Sequence, residues 1–376
     1  MSTPIIQGRC PGAHRPMMSG DGLVVRVRPR LARLTRAQIL GLCAAAQEFG
    51  SGMIDLTNRA NLQLRGVAQS AHAPLLVALE RLDLLDKDPA TETRRNIIVS
   101  PFYQEGDLTA RLATELTARL ADLPDLPPKF GFCVDAGPDR LLAEISADIR
   151  LERGQDGGLI LRADGVETGR SVDENTAIDH LIALAGWFAD TMSPEARRMA
   201  RVLQTRDLPA QWTGVRPVGQ GAAAQPGQTP LGALIGAPFG QFPAQALADL
   251  ITAGNARALR VTPWRLALLE GAQPTVAADF VTNPQDPILT TDACPGAPFC
   301  PQAQVETRTL ARQLAPHVTG SLHVSGCAKS CARMGPASVT LVGRNGRFDL
   351  VKQGRVGDEP VKRDLTPQTL LRMTDI

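Results

Sequence analysis

Residues 54–66 return without a gap as residues 259–271. Ile54-Asp-Leu-Thr-Asn-Arg-Ala-Asn-Leu-Gln-Leu-Arg-Gly66 stands against Leu259-Arg-Val-Thr-Pro-Trp-Arg-Leu-Ala-Leu-Leu-Glu-Gly271. Thr57 matches Thr262, Gly66 matches Gly271, and apolar residues recur at matched alternate positions, the period of a half-buried strand. What precedes each copy also matches. A strand at residues 23–28 leads to a helix opened by the capping box Thr35/Gln38, with an apolar stripe of Ile39, Leu42, Cys43 and Ala46 and a stop at Gly50. In the second copy a strand-like run at 231–236 leads to a helix over 243–253, closed by Gly254. Cys43 on the first stripe reads as core. The chain is therefore an internal duplication with a period of about 205 residues.

Each copy continues into a longer mixed segment. The first runs through Arg94–Val99 and Phe130–Asp135 to a helix near Ala177–Met192. At 376 residues the chain exceeds one ordinary core. The expected organisation is a half-domain over 1–88, a mixed α/β substrate-binding domain over 89–207 and a Pro/Gly/Gln-rich linker over 208–230. A second half-domain follows over 231–275, then a mixed α/β domain over 276–376. The fold class is α+β, with a cavity expected where the halves meet.

The last of these segments carries the chemistry. Four of the seven cysteines are spaced Cys294-x5-Cys300 and Cys327-x3-Cys331. Thiolate is the ligand for cluster iron, and a [4Fe–4S] cube needs four of them converging. The first pair lies in a Pro/Gly-rich loop that can curl round a cube. The second pair, at i and i+4, would point both sulfurs one way from a short helix. Structural zinc prefers gaps of two to four residues, so x5 suits it poorly. Disulfides suit a chain with no secretory signature poorly, Cys10, Cys43 and Cys133 being scattered.

Charge is unusual in kind rather than amount. Of 40 basic residues only Lys87, Lys129, Lys329, Lys352 and Lys362 are lysine. A GC-rich genome accounts for that bias, and so does a polycarboxylate ligand, since guanidinium forks take carboxylates bidentately. A net charge of +2 leaves no nucleic-acid footprint. No signal pattern and no membrane-length apolar run stand out, so a soluble, cytoplasmic protein without a membrane partner is expected.

Two halves with this cysteine motif resemble the siroheme-dependent nitrite and sulfite reductase superfamily, over nearly the whole chain. Thr57-Asn58-Arg59-x3-Gln63-x2-Gly66 is similar to its first-half motif, and Leu123-Pro124 through Lys129-Phe130 to its Leu-Pro-x-Lys-Phe-Lys run. Arg95-Asn96 resembles a pair bearing a cofactor-facing arginine, and Arg28 is a weaker match. The implied architecture is two ferredoxin-like parachain subdomains plus two larger mixed α/β subdomains round a central cavity. Two positions depart from the reductases. Gly131 stands where they carry the second lysine of an anion clamp, and Arg65 where they often carry histidine.

A shorter branch, the precorrin-3B synthases, is similar in these respects. Arg9-Cys10-Pro11-Gly12, Ser19-Gly20-Asp21-Gly22 and Lys129-Phe130-Gly131-Phe132-x-Val134-Asp135-x-Gly137 resemble it. That resemblance implies a cobalamin-biosynthesis monooxygenase: precorrin-3A hydroxylated at C20 with O2 while a ring-A acetate closes a γ-lactone. Cys294, Cys300, Cys327 and Cys331 would hold the [4Fe–4S] cluster, with electrons ultimately from NAD(P)H through an electron-donating reductase partner. The cluster is coordinatively filled, so a separate mononuclear non-haem iron is the natural centre for O2, although no two-histidine, one-carboxylate motif is visible. His323 and His14 read either as ligands to it or as ordinary hydrogen-bonded histidines. Cys10-Pro11-Gly12-Ala13 repeats Cys294-Pro295-Gly296-Ala297, so Cys10 reads as a remnant of the duplicated loop or as a second metal ligand. For the substrate carboxylates the candidates are Arg28, Arg59, Arg65, Arg95 and Lys129, with Asn61 and Gln63 on one strand face. The alternatives are a siroheme-dependent sulfite or nitrite reductase, and a non-catalytic, cluster-bearing tetrapyrrole-binding or electron-transfer subunit.

Overall fold

A computed structural model describes residues 11–274, 278–373 and 376; Arg9 and Cys10 lie outside the described residues. The first half builds β1 (Met17–Ser19), β2 (Gly22–Val27), β3 (Arg33–Thr35), α1 (Arg36–Phe49), β4 (Met53–Leu56), β5 (Leu62–Val67) and α2 (His72–Arg81). Then come α3 (Pro89–Arg94), β6 (Ile97–Val99), α4 (Leu108–Ala118), β7 (Phe132–Asp135), β8 (Ile149–Arg153), β9 (Leu159–Ala163), β10 (Arg170–Val172), α5 (Ala177–Thr191) and α6 (Met199–Val202). The second copy builds β11 (Gly227–Thr229), β12 (Gly232–Gly236), β13 (Gln241–Pro243), α7 (Ala244–Ala253), β14 (Ala258–Val261) and β15 (Leu266–Glu270). Its continuation is β16 (Thr291–Ala293), α8 (Arg308–Leu314), β17 (Leu322–Ser325), β18 (Ala337–Arg344), β19 (Arg347–Gly354), β20 (Lys362–Leu365) and α9 (Pro367–Arg372). The fold is α+β, as expected, and no helix among the described residues is long and apolar enough to cross a membrane.

Four five-stranded sheets result, ordered β1-β2-β5-β4-β13, β10-β9-β8-β7-β6, β11-β12-β15-β14-β3 and β16-β17-β18-β19-β20. The first and third exchange strands: β13 of the second copy closes the first sheet beside β4, and β3 of the first copy closes the third beside β14. The inner faces of both sheets and the helices α1 and α7 share one core, including Val25, Leu34, Leu64, Phe242 and Leu269. The capping box holds α1 in register: Thr35 accepts from Gln38 N and the Gln38 side chain accepts from Thr35 N.

The duplication extends to backbone detail. Thr57 Oγ1 accepts from the N–H groups of Arg59 and Asn61, and Thr262 Oγ1 from those of Trp264 and Leu266. Matched Gly66 and Gly271 both adopt left-handed φ, 67° and 76°, which only glycine takes without strain. Ahead of β3 and of β13, Leu31 (φ 51°) and Phe239 (φ 59°) turn the chain by the same kink.

Residues 215–220 run beside the second sheet, with bridges Gly169↔Val215 and Gly154↔Pro217, while residues 227–229 already form β11 of the third. The helix expected round Cys327 and Cys331 does not form. Those residues make a turn, because Ser330 takes a left-handed φ of 58° that interrupts helical hydrogen bonding.

The strand exchange predicts that damage to β3 destabilises the opposite half. Leu34 is fully buried within the shared core. Leu34→Ala should cost about 2–5 kcal/mol in denaturant unfolding and lower the stability of the whole chain.

Candidate active site: an arginine-lined cavity beside the cysteine loops

One face of the first sheet is apolar and faces the core; the other is polar. Register sets Arg26 beside Gln63, Gln63 beside Asp55 and Asp55 beside Gln241, with Arg65 two residues on along β5. This polar face meets the loops that follow β16 and β17. Between them lies a cavity of about 310 Å³, lined by Arg26, Asp55, Gln63 and Arg65 from the sheet. Arg265, Arg308, Phe239, Cys294 and Cys331 complete it.

Four guanidinium groups thus converge round one lining carboxylate. Arg65 is oriented from behind: Asp21 accepts from Nε and Nη2, each at 3.0 Å, and Ser19 Oγ from Nη2 at 2.9 Å. Arg265 and Arg333 share Asp292, the latter at 2.9 Å. Arg26 and Arg308 are less satisfied. Each is largely buried and its Nε has no hydrogen-bond partner among the described residues. Arg308 sits 4.0 Å from Asp55 and 5.9 Å over the Phe239 ring, and burial pushes its guanidinium pKa down. Buried donors of this kind favour an anionic acceptor in the cavity.

The cysteine loops are held against the same wall. The N–H of Gly326 donates to Cys294 Sγ at 3.2 Å. A side chain on Gly326 would press Ala303 at 2.7 Å, and one on Gly296 would meet the Thr307 hydroxyl at 2.6 Å, so both close approaches require glycine. Burial raises the Cys294 thiol above its ordinary range, helped by Cys300 and Cys327 nearby. Cys331 is raised by burial too, with the other three thiols adding to it. All four sulfurs therefore lie within electrostatic reach of one another. That donor set fits a thiolate-bound cluster, whose iron would hold the sulfurs as thiolates.

The other residues named from sequence are placed differently. Arg28 donates to the Glu92 carbonyl and lies 3.7 Å from its carboxylate, with burial lowering its pKa to about 10. Arg95 forks onto Asp86 at 2.9 and 2.8 Å and reaches the Arg28 carbonyl. Arg59, Asn61 and Arg95 line a separate small crevice, where Arg59 Nη2 donates to the carbonyl of exposed Lys129 at 3.1 Å. Gln63 and Arg65 alone of the substrate candidates line the cavity with the cysteines. Arg26, Arg265 and Arg308 escaped sequence reading, although Arg26 stands only two residues before Arg28.

No group of three or more His, Cys, Asp or Glu among the described residues could hold a single metal ion. His14 Nε2 bonds the Asp86 carbonyl at 2.6 Å. His323 is fully buried on β17, paired across the parallel ladder with Asp292, and neither ring nitrogen has a partner among the described residues.

The chain is 32% identical to a precorrin-3B synthase from Sinorhizobium sp, covering 94% of this chain and 84% of that one. It belongs to the precorrin-3B synthase family. Residues 15–82 also match the nitrite/sulfite reductase ferredoxin-like half domain. A ferredoxin–nitrite reductase of Synechococcus elongatus is 24% identical, over 89% of this chain and 78% of that one. The Mycobacterium tuberculosis NirA protein shares the fold at a TM-score of 0.62 and 19% identity, covering 92% of this chain and 78% of that one. Within this precorrin-3B synthase family member, Gly131 has a local reason. A Cβ there would press the Asn96 carbonyl at 3.3 Å and meet Arg59 Nη1 at an ordinary contact distance of 3.6 Å.

Burial pushes the His323 imidazole down to about 4, while Asp292 opposes and Arg333 and Arg265 reinforce that shift. The folded chain thus keeps it neutral while the unfolded chain takes up a proton near its ordinary 6.5. The stability it contributes is complete above that value, declines as pH falls, and is gone below the folded value. Between pH about 7 and about 5 the wild type should lose about 2 kcal/mol more than His323→Phe, read from denaturant midpoints.

Proposed function

We propose that the protein hydroxylates precorrin-3A at C20 with O2 and closes the ring-A acetate as a γ-lactone, giving precorrin-3B for the aerobic cobalamin route. The observation that carries this reading is the meeting of four arginines and the cysteine loops in one cavity, in a member of the precorrin-3B synthase family. A tetrapyrrole with eight carboxylates asks for such a wall. One atom of O2 goes to C20 and the other leaves as water, which consumes two electrons and two protons.

Cys294, Cys300, Cys327 and Cys331 are the residues that would hold a [4Fe–4S] cluster. When bound, the cluster supplies single electrons, which triplet O2 requires; they come ultimately from NAD(P)H through a reductase partner. Arg26, Arg65, Arg265 and Arg308 bind and orient substrate carboxylates, and Asp21 and Ser19 keep the Arg65 fork aimed. Gln63, between Arg26 and Asp55, offers an amide to the same wall. Arg59, Asn61 and Lys129 extend the polar face beyond it, while Arg28 and Arg95, tied to Glu92 and Asp86, brace that end. The separate non-haem iron has no three-ligand set among the described residues, so no step is assigned to it.

A siroheme-dependent nitrite or sulfite reductase is the second reading, favoured by the 24% identical nitrite reductase and weakened by Gly131 in place of a lysine. Anaerobic purification separates the two. About four irons and four sulfides per chain, with a broad shoulder near about 400 nm and no macrocycle bands, are expected. Turnover of precorrin-3A should then require both O2 and a reductant. Siroheme bands, or no turnover by the cluster-loaded protein, would overturn the reading. Cys300→Ser should abolish the shoulder. Arg308→Met should keep it and raise KM for precorrin-3A about tenfold or more, the loss of one charge-assisted hydrogen bond.

A further inference from the structure

The four cysteines are not held alike. Cys294 is buried and directly follows β16, whereas Cys331 is exposed in the turn between β17 and β18. Among the described residues no backbone-to-backbone hydrogen bond ties residues 328–335 to the rest of the chain. A turn of that length with no ladder depends on side chains for its place.

Two arginines supply them. Arg265 Nη2 donates to the Ala332 carbonyl at 2.8 Å, one residue past Cys331. Arg333 Nε donates to the Pro336 carbonyl at 2.9 Å, and the Arg333 carbonyl accepts from Ser330 Oγ. The other end of each fork meets one carboxylate. Arg265 Nη1 donates to Asp292 Oδ1, and Arg333 Nη1 to Asp292 Oδ2 at 2.9 Å. Asp292 lies on β16, two residues ahead of Cys294. One side chain thus joins the strand leading into the first cysteine loop, the turn that carries Cys331, and the β14–β15 turn of the third sheet.

The duplication shows that this reach is special to the second copy. Arg265 matches Ala60, and both take left-handed φ, 62° and 52°, so the backbone turn is common to the copies and the long side chain is not. Its stem needs room. A Cβ on Gly240 would lie 2.9 Å from Arg265 Cγ, and at the corresponding place, after the kink at Leu31, the first copy has Ala32. The second copy alone carries both the arginine and the glycine that admits it. Arg265 and Cys331 also line the cavity together, so the wall and the turn share a side chain.

We propose that Asp292 is a positioning residue for the cysteine at the substrate wall: through Arg265 and Arg333 it fixes the Cys331 turn, and with it the fourth thiolate of the cluster, against the cavity. The inference rests on the reading that the four cysteines hold a [4Fe–4S] cluster. Side chains that orient a metal ligand from behind govern how firmly the metal is kept.

Two variants of opposite charge test it. Asp292→Asn removes a negative charge and Arg333→Met a positive one, so an effect of charge alone runs in opposite directions and loss of the clamp in one. In the cluster-free full chain, a lysine-specific protease should cut after Lys329 several-fold faster in both variants, with cleavage at exposed Lys129 unchanged as the reference. In the loaded protein both should lose the visible absorbance to an iron chelator about tenfold faster than wild type or more, and the EPR spectrum of the reduced cluster should change in both. In the double variant the two effects should fall well short of multiplying. Arg333 is half-exposed and outside the core, so Arg333→Met keeps the test open should Asp292→Asn fail to fold. Cleavage at Lys329 that stays at the wild-type rate, that rises in one variant and falls in the other, or that multiplies in the double variant would sink the proposal. A chain that takes up neither iron nor sulfide would overturn the cluster reading instead, and cleavage at Lys329 would still decide whether Asp292 holds the turn.

Discussion

Each half of this chain completes the other's sheet, and the polar row on each sheet is finished by that exchange. β3 and β13 are three residues long and could not stand as isolated strands. They exist because their partners, β14 and β4, present an open edge and because Leu34 and Phe242 enter the common core. Once they are in place, the edge residue at each junction is fixed beside a charged neighbour from the other copy. Gln241 donates to Asp55 at 2.9 Å, and Arg33 forks onto Glu270. The same backbone operation thus produces two polar corners with different chemistry.

The difference between the corners is electrostatic. At the cysteine corner the first sheet offers Arg26 and Arg65 with Asp55, the β14–β15 turn of the third sheet adds Arg265, and the start of α8 adds Arg308. Buried guanidinium groups are costly unless paired, and the available acids do not cover them all. Arg65 is paid for by Asp21, but the Nε atoms of Arg26 and Arg308 are not. The fold carries that cost where a polyanion would relieve it. At the other corner Arg260 and Arg33 are answered by Glu270, by backbone carbonyls and by Glu105 nearby, so among the described residues one phenol hydroxyl stays unmatched.

Much of this was legible in the residues, for physical reasons. Gly66 and Gly271 occupy left-handed backbone that other residues avoid, and Thr57 and Thr262 close the same turn, so the repeat had to leave identical letters there. The start of α1 was readable because a capping box is local. Gln63 was named from its alternation with Asn61 and Arg65 from its place before Gly66 in the motif; both line the cavity, whereas Asn61 lines the separate crevice. The strand exchange was not legible, since three-residue strands carry no period, and neither was the turn at Cys327–Cys331, where spacing alone suits a helix as well. Arg265 and Arg308 reach the cavity from a turn and a helix start far along the chain from Gln63. The packing of three sheets brings them together, the third supplying Arg265 and α8 beside the fourth supplying Arg308, and no local pattern records that.

Arg28 and Arg95 show the converse. Both stand in segments that resemble cofactor-facing positions, yet Asp86 and Glu92 lie close enough to claim them. A guanidinium that already forks onto a buried carboxylate, as Arg95 does onto Asp86, gains little from a second anion, because the first has neutralised its charge and fixed its donors. Arg28 is held less completely, its Nε having no partner among the described residues. Motif resemblance identifies the strand and the face on which an arginine lies; the nearest acid decides whether it is free to bind. What distinguishes Arg26 from Arg28 is position: its face is shared with Gln63 and Asp55 and opens toward the cysteine loops.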